Sequence, residues 1–487
     1  MMPDSFKRVD PRLDEAEVKQ AREARRTELT PIISTAQGRT DNQAATDFVR
    51  KNANLLRYVP TWHKWLVWDG RRWKLDPDSV AVTRLVRDYV GSYWSQLREC
   101  SSQFDPKEFA VVAGWVRSAN QVSRVEAIVK LARCDQQIVV DYEQLNTQRG
   151  FLNLLNGTLD FDTGDFARHN PDDNITQLAN IEFDSSATCP KWLDCLSLIF
   201  NGDAELVQYC QQLLGYSCTG YCGEAILPVS LGNGANGKST IWNAMIELLG
   251  DYGLAASDKL VMGQSREHAT ELANLYQRRF VAIAEPEENA QLQEARVKAL
   301  TGDSHITARR MREDFWTFER THKFWIATNH LPKVGGTDEG IWRRLKVIPF
   351  TVDLRQKVAS IPDYHKHLVR DEGPGIVNWL LAGYRDYVVN GFTEPEAVKA
   401  ATSEYRQASD ELSRFVDECL VVDPNAVIRS TEAYDRYLKW KGADRQAITG
   451  TKFGLEMSKR FTKDRPDYGP HRKRTIYRGI GTPNYDE

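Results

Sequence analysis

No apolar run in this 487-residue chain approaches the roughly 20 residues that a bilayer-crossing helix needs. The opening stretch MMPDSFKRVDPRLDEAEVKQ is charged and lacks the apolar segment of a signal peptide, so a cytoplasmic location is expected. Cysteine is sparse, with eight in all, and only Cys218 and Cys222 approach ligand spacing. No second Cys or His pair follows them, as a zinc site usually requires, so buried thiols in a reducing compartment are expected. There is neither an internal repeat nor a low-complexity tract, which excludes solenoids and biased linkers. Strong net charge is also missing, at −3 overall. Its distribution is uneven: residues 420–487 hold 14 Lys/Arg against 9 Asp/Glu. A basic end of this kind suits either a polyanion partner or a solvated face.

What is present is material for a real core, 41% of residues being hydrophobic, in a chain long enough for about two to four domains. Residues 1–40 are charged and poor in aromatics and read as a flexible tail. Residues 41–187 read as an α+β domain. Val67-Trp68-Asp69-Gly70 signals a hairpin, turns recur at Asn156-Gly157 and Asp162-Thr163-Gly164-Asp165, and helical apolar spacing runs between. The Asp76-Pro77-Asp78 pair resembles a metal site superficially but reads as a turn with capping aspartates. A helical section covers 188–224.

From residue 225 to 355 apolar strand candidates alternate with helices: Ala225–Leu231, Phe280–Ala284, Phe324–Thr328 and Leu345–Phe350. This alternation predicts a parallel α/β sheet. Helix returns over 356–411, with Gly373-Pro374-Gly375 expected to break it, and residues 412–487 suit a small helix-plus-hairpin domain.

The central motif is Gly232-Asn233-Gly234-Ala235-Asn236-Gly237-Lys238-Ser239, which fits G-x-x-x-x-G-K-[ST]. Glycines let backbone N–H groups turn inward around phosphate oxygens. Lys238 can reach the terminal phosphates, the Ser239 hydroxyl can sit on Mg²⁺, and the helix from Thr240 adds its positive end. An apolar strand before the motif and an apolar-periodic helix after it supply the context that separates it from a chance glycine turn. ATP with Mg²⁺ is the expected cofactor.

Three further clusters bear on what the nucleotide would be used for. Carboxylates at Glu285, Glu287 and Glu288 end one buried strand. Glu285 is the candidate for the metal side, and Glu287 or Glu288 for polarising water; an acidic surface loop is the plain alternative. Asn329 ends the next strand and could bond a γ-phosphate or act only as a turn residue. Arg343 and Arg344 precede the last strand, where either could neutralise charge in a neighbouring subunit or lie simply on the surface.

These residues, taken with Lys298-Ala299-Leu300-Thr301-Gly302-Asp303, Ile306-Thr307-Ala308-Arg309-Arg310, Ala327-Thr328-Asn329-His330-Leu331-Pro332 and Trp342-Arg343-Arg344, resemble the superfamily 3 helicase domain of phage and plasmid primase–helicases, including poxvirus-type enzymes. Leu155-Asn156-Gly157-Thr158-Leu159-Asp160 and Gly375-Ile376-Val377-Asn378-Trp379-Leu380 extend the resemblance to about residues 45–415. It implies an AAA+ core, a homo-hexameric ring, and ATP-driven movement on single-stranded or forked DNA, typically 3′ to 5′, in replication of a phage, plasmid or mobile element.

The resemblance further implies that Glu285 is the acidic-motif carboxylate, Asn329 the sensor, and Arg343 or Arg344 a finger acting in trans. Lys298 would face the channel or the neighbouring nucleotide. Residues 303–318 would form a hairpin into the ring, with Arg310 and Arg312 near its tip and Trp316 stacking on a base. The bland alternative is a surface hairpin whose aromatics pack underneath. The end of the chain resembles a winged-helix domain with a basic recognition helix around Thr451–Phe461. Only about 40 residues precede the matching region, so a separate primase or polymerase partner is expected. Two competing readings remain. One is a P-loop kinase or signalling ATPase; the other is an origin-binding or loading ATPase without unwinding.

Overall fold

The computed structural model describes residues 38–262, 269–284, 286, 290–311, 313–335, 339–357, 361–442, 447–467 and 469–483. It opens with helix α1 (Asp41–Asn52), followed by an antiparallel sheet of β1 (Leu56–Val59), β2 (Lys64–Trp68) and β3 (Trp73–Asp76). The β2–β3 loop contains Gly70 at φ +93°, the left-handed geometry that the Asp-Gly pair anticipated. Helix α2 (Val80–Glu99) buries Val82, Val86, Tyr89, Val90, Tyr93 and Leu97, one stripe at helical spacing. Asp76 accepts the Ala81 and Val82 amides at 2.9 and 3.0 Å, so it does cap this helix. Helices α3 (Pro106–Ala119) and α4 (Val122–Ala132) complete that core. A second small sheet follows, β4 (Phe151–Leu154), β5 (Gly157–Asp160) and β6 (Phe166–Ala167), with its first turn on Leu155-Asn156, one residue before the expected one, and its second at the expected place.

Helices α5 (Pro190–Ile199) and α6 (Ala204–Ser217) lead into the central sheet. Its strands are β7 (Leu227–Leu231), β8 (Gly253–Ala256) and β9 (Phe280–Ile283). A two-stranded hairpin follows, β10 (His305–Ala308) with β11 (Trp316–Glu319), and then β12 (Lys323–Thr328) and β13 (Leu345–Pro349) return to the sheet. The sheet order is β13-β7-β12-β9-β8 and every pairing is parallel. Side chains alternate strictly across it. Phe280, Trp325 and Ile348 face one core, while Val229, Val281, Ile283, Phe324, Ile326 and Val347 face the other. Helix α7 (Lys238–Leu249) covers the first face, with Trp242 4.7 Å from Trp325 and 5.8 Å from Phe280, ring to ring. The second face is shared by α8 (Glu294–Gly302), the hairpin, and Trp62, Leu66 and Trp73 of the N-terminal region.

Below the sheet, three buried cations bind the carbonyls that follow α6. Arg279 donates to Cys218, Lys323 to Thr219 and Tyr221, and Arg320 to Cys222. Positive charge suits a helix C-terminus, although burial pushes the Lys323 ammonium down to about 7.

After the short α9 (Glu339–Trp342), helix α10 spans Tyr364–Asn390 without interruption. The expected break at Gly373-Pro374-Gly375 does not occur. An internal proline costs a helix ~3 kcal/mol, and here tertiary contacts offset it. A Cβ on Gly375 would lie 2.2 Å from the Thr188 carbonyl oxygen, and one on Gly373 would lie 2.3 Å from Ile181, so the glycines admit the 181–189 chain. Next to them the buried Glu372 accepts the Lys191 and Trp192 amides at 3.0 and 2.8 Å, capping α5 from another helix. Helix α11 (Glu396–Ser409) follows.

The last unit comprises α12 (Glu411–Cys419), β14 (Val421–Arg429), α13 (Ser430–Lys441), α14 (Gly450–Arg460), β15 (Thr462–Asp464) and β16 (Ile476–Gly481), with sheet order β14-β16-β15. It has its own core of Phe415, Tyr437, Phe453, Met457 and Tyr477. Among the described residues no helix is long and apolar enough to cross a membrane.

Helices α6 and α10 meet through glycines: a Cβ on Gly215 would lie 2.3 Å from Leu380 O, and one on Gly383 2.2 Å from Gln211 O. Gly383→Ala must therefore separate the helices. We expect it to destabilise the chain by about 1–3 kcal/mol, read as a lower denaturant midpoint; an unchanged midpoint would contradict this contact.

Candidate functional site

Parallel sheets bind ligands beyond the carboxyl ends of their strands, and the glycine-rich loop lies there, between β7 and α7. Gly234, Ala235 and Gly237 have φ of +92°, +49° and +83°, which folds the loop back over the strand end. Gly232 is required by crowding, since a Cβ there would lie 1.9 Å from Asn236 Nδ2 and 2.4 Å from Phe350 O. Two ties hold the loop to the segment after β13. Asn236 Nδ2 donates to Phe350 O at 3.2 Å, and Leu354 N donates to Ala235 O at 2.9 Å.

Lys238 is buried at the first turn of α7. Its ammonium donates to Gly232 O at 2.6 Å, Asn236 Oδ1 at 3.0 Å and Asn329 Oδ1 at 3.1 Å. The sheet thus brings together Lys238 and Asn329, 91 positions apart. Asn329 is fixed by its turn: Thr328 Oγ1 bonds His330 O at 2.5 Å and accepts His330 N at 3.1 Å. Ser239 is exposed and Thr240 half-buried, with Asn233 and Ala235 at the open rim. The donor set fits a phosphate chain: an ammonium held by neutral oxygens, a helix N-terminus, and a loop whose glycines admit close approach. Glu285, Glu287 and Glu288 lie outside the described residues, beyond the end of β9.

The two arginines differ. Arg344 is buried, donating from Nε to Thr301 Oγ1 at 3.1 Å and from a terminal nitrogen to Gly340 O. Arg343 is exposed, and Lys298 is half-buried on α8. An arginine committed to its own chain cannot reach a neighbour without breaking that network, so the placement speaks against Arg344 as a finger.

The hairpin pairs Ala308 with Trp316 and Ile306 with Phe318, and all four face inward and are buried. This placement removes Trp316 as a base-stacking residue: it is 6% exposed, and the bland alternative of aromatics packed underneath is the one realised. Strand alternation with Phe318 was the signal for it. Beside the exposed Asp314, the tip exposes Arg309, Met311 and Phe315, the last 61% exposed with the Arg309 guanidinium 4.9 Å from its ring centre. Sequence reasoning named none of these three as contacts. Arg310 is half-buried and leans on Trp62 and Trp316; Arg312 lies outside the described residues.

The expected recognition helix, α14, has its described cations engaged within the chain. Lys452 bonds Gly335 O at 3.1 Å, Lys459 pairs with Glu456 at 2.7 Å, and Arg460 grips Asp410 at 2.7 and 2.9 Å. Arg472, Lys473 and Arg474 are exposed in the β15–β16 loop instead.

Fold and site together define a class: a mixed α/β protein with a five-stranded parallel sheet and a phosphate-type loop at its carboxyl edge. Two families match the chain, one described as "D5 N terminal like" over residues 45–201 and one as "Family of unknown function (DUF5906)" over 231–344. Among curated relatives, "Putative helicase L207/L206" of Acanthamoeba polyphaga mimivirus is 28% identical over 61% of this chain and 33% of its own length. A "Putative primase" of African swine fever virus is 24% identical over 45% of this chain and 25% of its own. "Putative helicase 022R" of Frog virus 3 is 23% identical over 44% and 24%. The chain therefore spans a quarter to a third of the relatives it matches. A solved structure titled "The A form apo structure of NrS-1 C terminal region-CTR" aligns at TM-score 0.48 and 12% identity, over 87% of this chain and 96% of that one. The resemblance drawn from the motifs is borne out: the chain carries regions of primase–helicase type and is homologous to these viral proteins.

Replacing each arginine separates their roles in stability. Arg344→Ala leaves the Thr301 hydroxyl and Gly340 carbonyl short of a donor, and we expect a loss of about 1–3 kcal/mol. Arg343→Ala should change stability by no more than about 0.5 kcal/mol. Urea titration of both variants checks this, and equal losses would refute the assignment.

Proposed function

We propose that the chain is an ATP-driven DNA helicase that works as a ring, a hexamer of AAA+ cores acting in replication of a phage, plasmid or mobile element. The observation that carries this reading is the meeting of Lys238 and Asn329 at 3.1 Å over the loop edge of a parallel sheet. A lone phosphate loop serves many tasks; one whose lysine touches the end of the neighbouring strand can report on the terminal phosphate. ATP with Mg²⁺ would supply the phosphoanhydride and the counter-charge. Lys238 would exchange its three neutral oxygens for phosphate oxygens, and Ser239 would hold the metal with Glu285. Asn329, released from Lys238, would turn its amide to the γ-phosphate or the water beside it, and Glu288 or Glu287 would polarise that water.

Exposure favours Arg343 as the group offered to the next subunit's nucleotide. Residues 188–224 would form the collar and 356–411 the lid. Residues 412–487 would be a winged-helix-like unit whose exposed Arg472–Arg474 loop meets phosphates. Arg309 and Phe315 at the hairpin tip would contact single-stranded DNA by charge and by stacking. A separate primase or polymerase would complete the replication set, and movement would run 3′ to 5′.

The test is ATP hydrolysis and strand displacement on forked DNA of both polarities, with mass determined in ATP. Lys238→Ala should abolish both activities, and Arg343→Ala should lower hydrolysis by about 10³-fold. Because each variant damages a different half of a shared site, mixing the two should restore part of the hydrolysis. No recovery on mixing, from rings that do assemble, would oppose a trans arginine. ATP-dependent assembly without displacement would favour a loading ATPase instead.

A further inference from the structure

The hairpin poses a mechanical problem. It consists of two four-residue strands that, among the described residues, pair only with each other, and an isolated two-stranded hairpin is marginal in water. A tip that is to press on a polymer must be held from behind. Behind it stand the 269–276 segment of the core and, far away in sequence, groups of the N-terminal region. Trp62 packs edge-on against Trp316 at 5.8 Å, and Tyr142 does the same at 5.6 Å. Trp62 and Tyr142 stack on each other at 6.1 Å, and Tyr276 of the core closes the cluster at 4.7 Å from Trp316. The Tyr142 hydroxyl has two acceptors for its one proton, Thr317 O at 3.0 Å in the middle of β11 and Glu143 Oε1 at 3.2 Å. Arg149 pairs with Glu319 at the end of the same strand. Arg310, on the tip side, lies over both Trp62 and Trp316, at 5.4 and 5.6 Å from their rings.

We infer that the N-terminal region is the brace of the hairpin, with Trp62 and Tyr142 as positioning residues that set how the Arg309–Phe315 tip is presented. Arg310 belongs to the brace, its guanidinium laid across the two indoles, and so differs in role from its neighbour Arg309. Edge-to-face contacts are directional, so the cluster fixes the angle of the hairpin as well as its attachment. The rim pair Arg149–Glu319 is half-solvated and adds little by itself. A consequence follows for the motor: any stroke of the tip either carries the N-terminal region with it or opens this cluster. The functional part of this inference rests on the DNA reading above; the mechanical part does not.

The experiment uses the full chain with Trp62→Ala, Trp62→Phe and Tyr142→Phe. Tryptic cleavage at the Arg309–Arg310 tip reports hairpin mobility without DNA. Anisotropy of labelled oligo(dT) reports binding, and DNA-free ATP hydrolysis reports the integrity of the nucleotide site. In Trp62→Ala we expect tip cleavage to quicken about fivefold and the oligo(dT) Kd to rise about tenfold, with DNA-free hydrolysis within about twofold of wild type. Trp62→Phe should recover most of both. Tyr142→Phe, which removes one hydrogen bond and keeps the ring, should show the same direction at about twofold and serves if Trp62→Ala does not fold. Unchanged tip cleavage in the folded variants overturns the brace. Faster cleavage with unaltered oligo(dT) binding overturns the positioning role. A wild-type chain that hydrolyses ATP yet never binds oligo(dT) fails the DNA reading and the functional half of this one, while the cleavage arm still decides the mechanical half.

Discussion

A parallel sheet must bury both of its faces, because its strands offer apolar side chains on each side and its connections cross over outside it. That constraint organises this molecule. One face is closed by α7 with α5, α6 and α10, and Trp242, Phe280 and Trp325 form its contact. The other face is covered by more varied elements, Tyr405 of α11 among them. It is closed by α8, the inward side of the hairpin and side chains of the N-terminal region. The N-terminal region is thus part of the core beneath the loop-bearing edge, which makes the hairpin's dependence on it a matter of packing.

The same sheet explains the site. Its parallel strands end together, so the loop after β7 and the turn after β12 share one edge, and a lysine and an asparagine distant in sequence come within 3.1 Å. Lys238 bridges three pieces of chain: the first glycine of the loop, the loop's own Asn236 and the neighbouring strand. Asn236 extends that bridge to Phe350 at the end of β13. Three strand ends are therefore linked through one loop, an arrangement in which occupying the loop must be felt at each of them.

The sequence was informative where the physics is local. The Asp69-Gly70 turn takes the left-handed geometry its glycine allows, Asp76 caps α2, and the four apolar runs form parallel strands within a residue or two, while the Asn156-Gly157 turn falls one residue early, on Leu155-Asn156. It misled where a distant contact outweighs a local preference. Pro374 lies inside α10 because Gly373 and Gly375 let the 181–189 chain approach and Glu372 caps α5. The cations of α14 looked available for phosphate, yet Asp410 and the Gly335 carbonyl hold two of them.

What the sequence determined by itself was the phosphate-type loop, four of the five parallel strands around it, β8 having gone unread, and the kinship with primase–helicase chains. Each depends on residue type at fixed short spacing, which a turn, a strand or a motif requires directly. Only the tertiary structure decided which of two adjacent arginines is buried, which aromatic of the hairpin faces out, and what stands behind it. Those outcomes depend on the side chains that other segments bring to the same place: Arg343 and Arg344 are the same residue type, and Phe315 and Trp316 are both aromatic, yet the backbone turns one of each pair outward and the other inward.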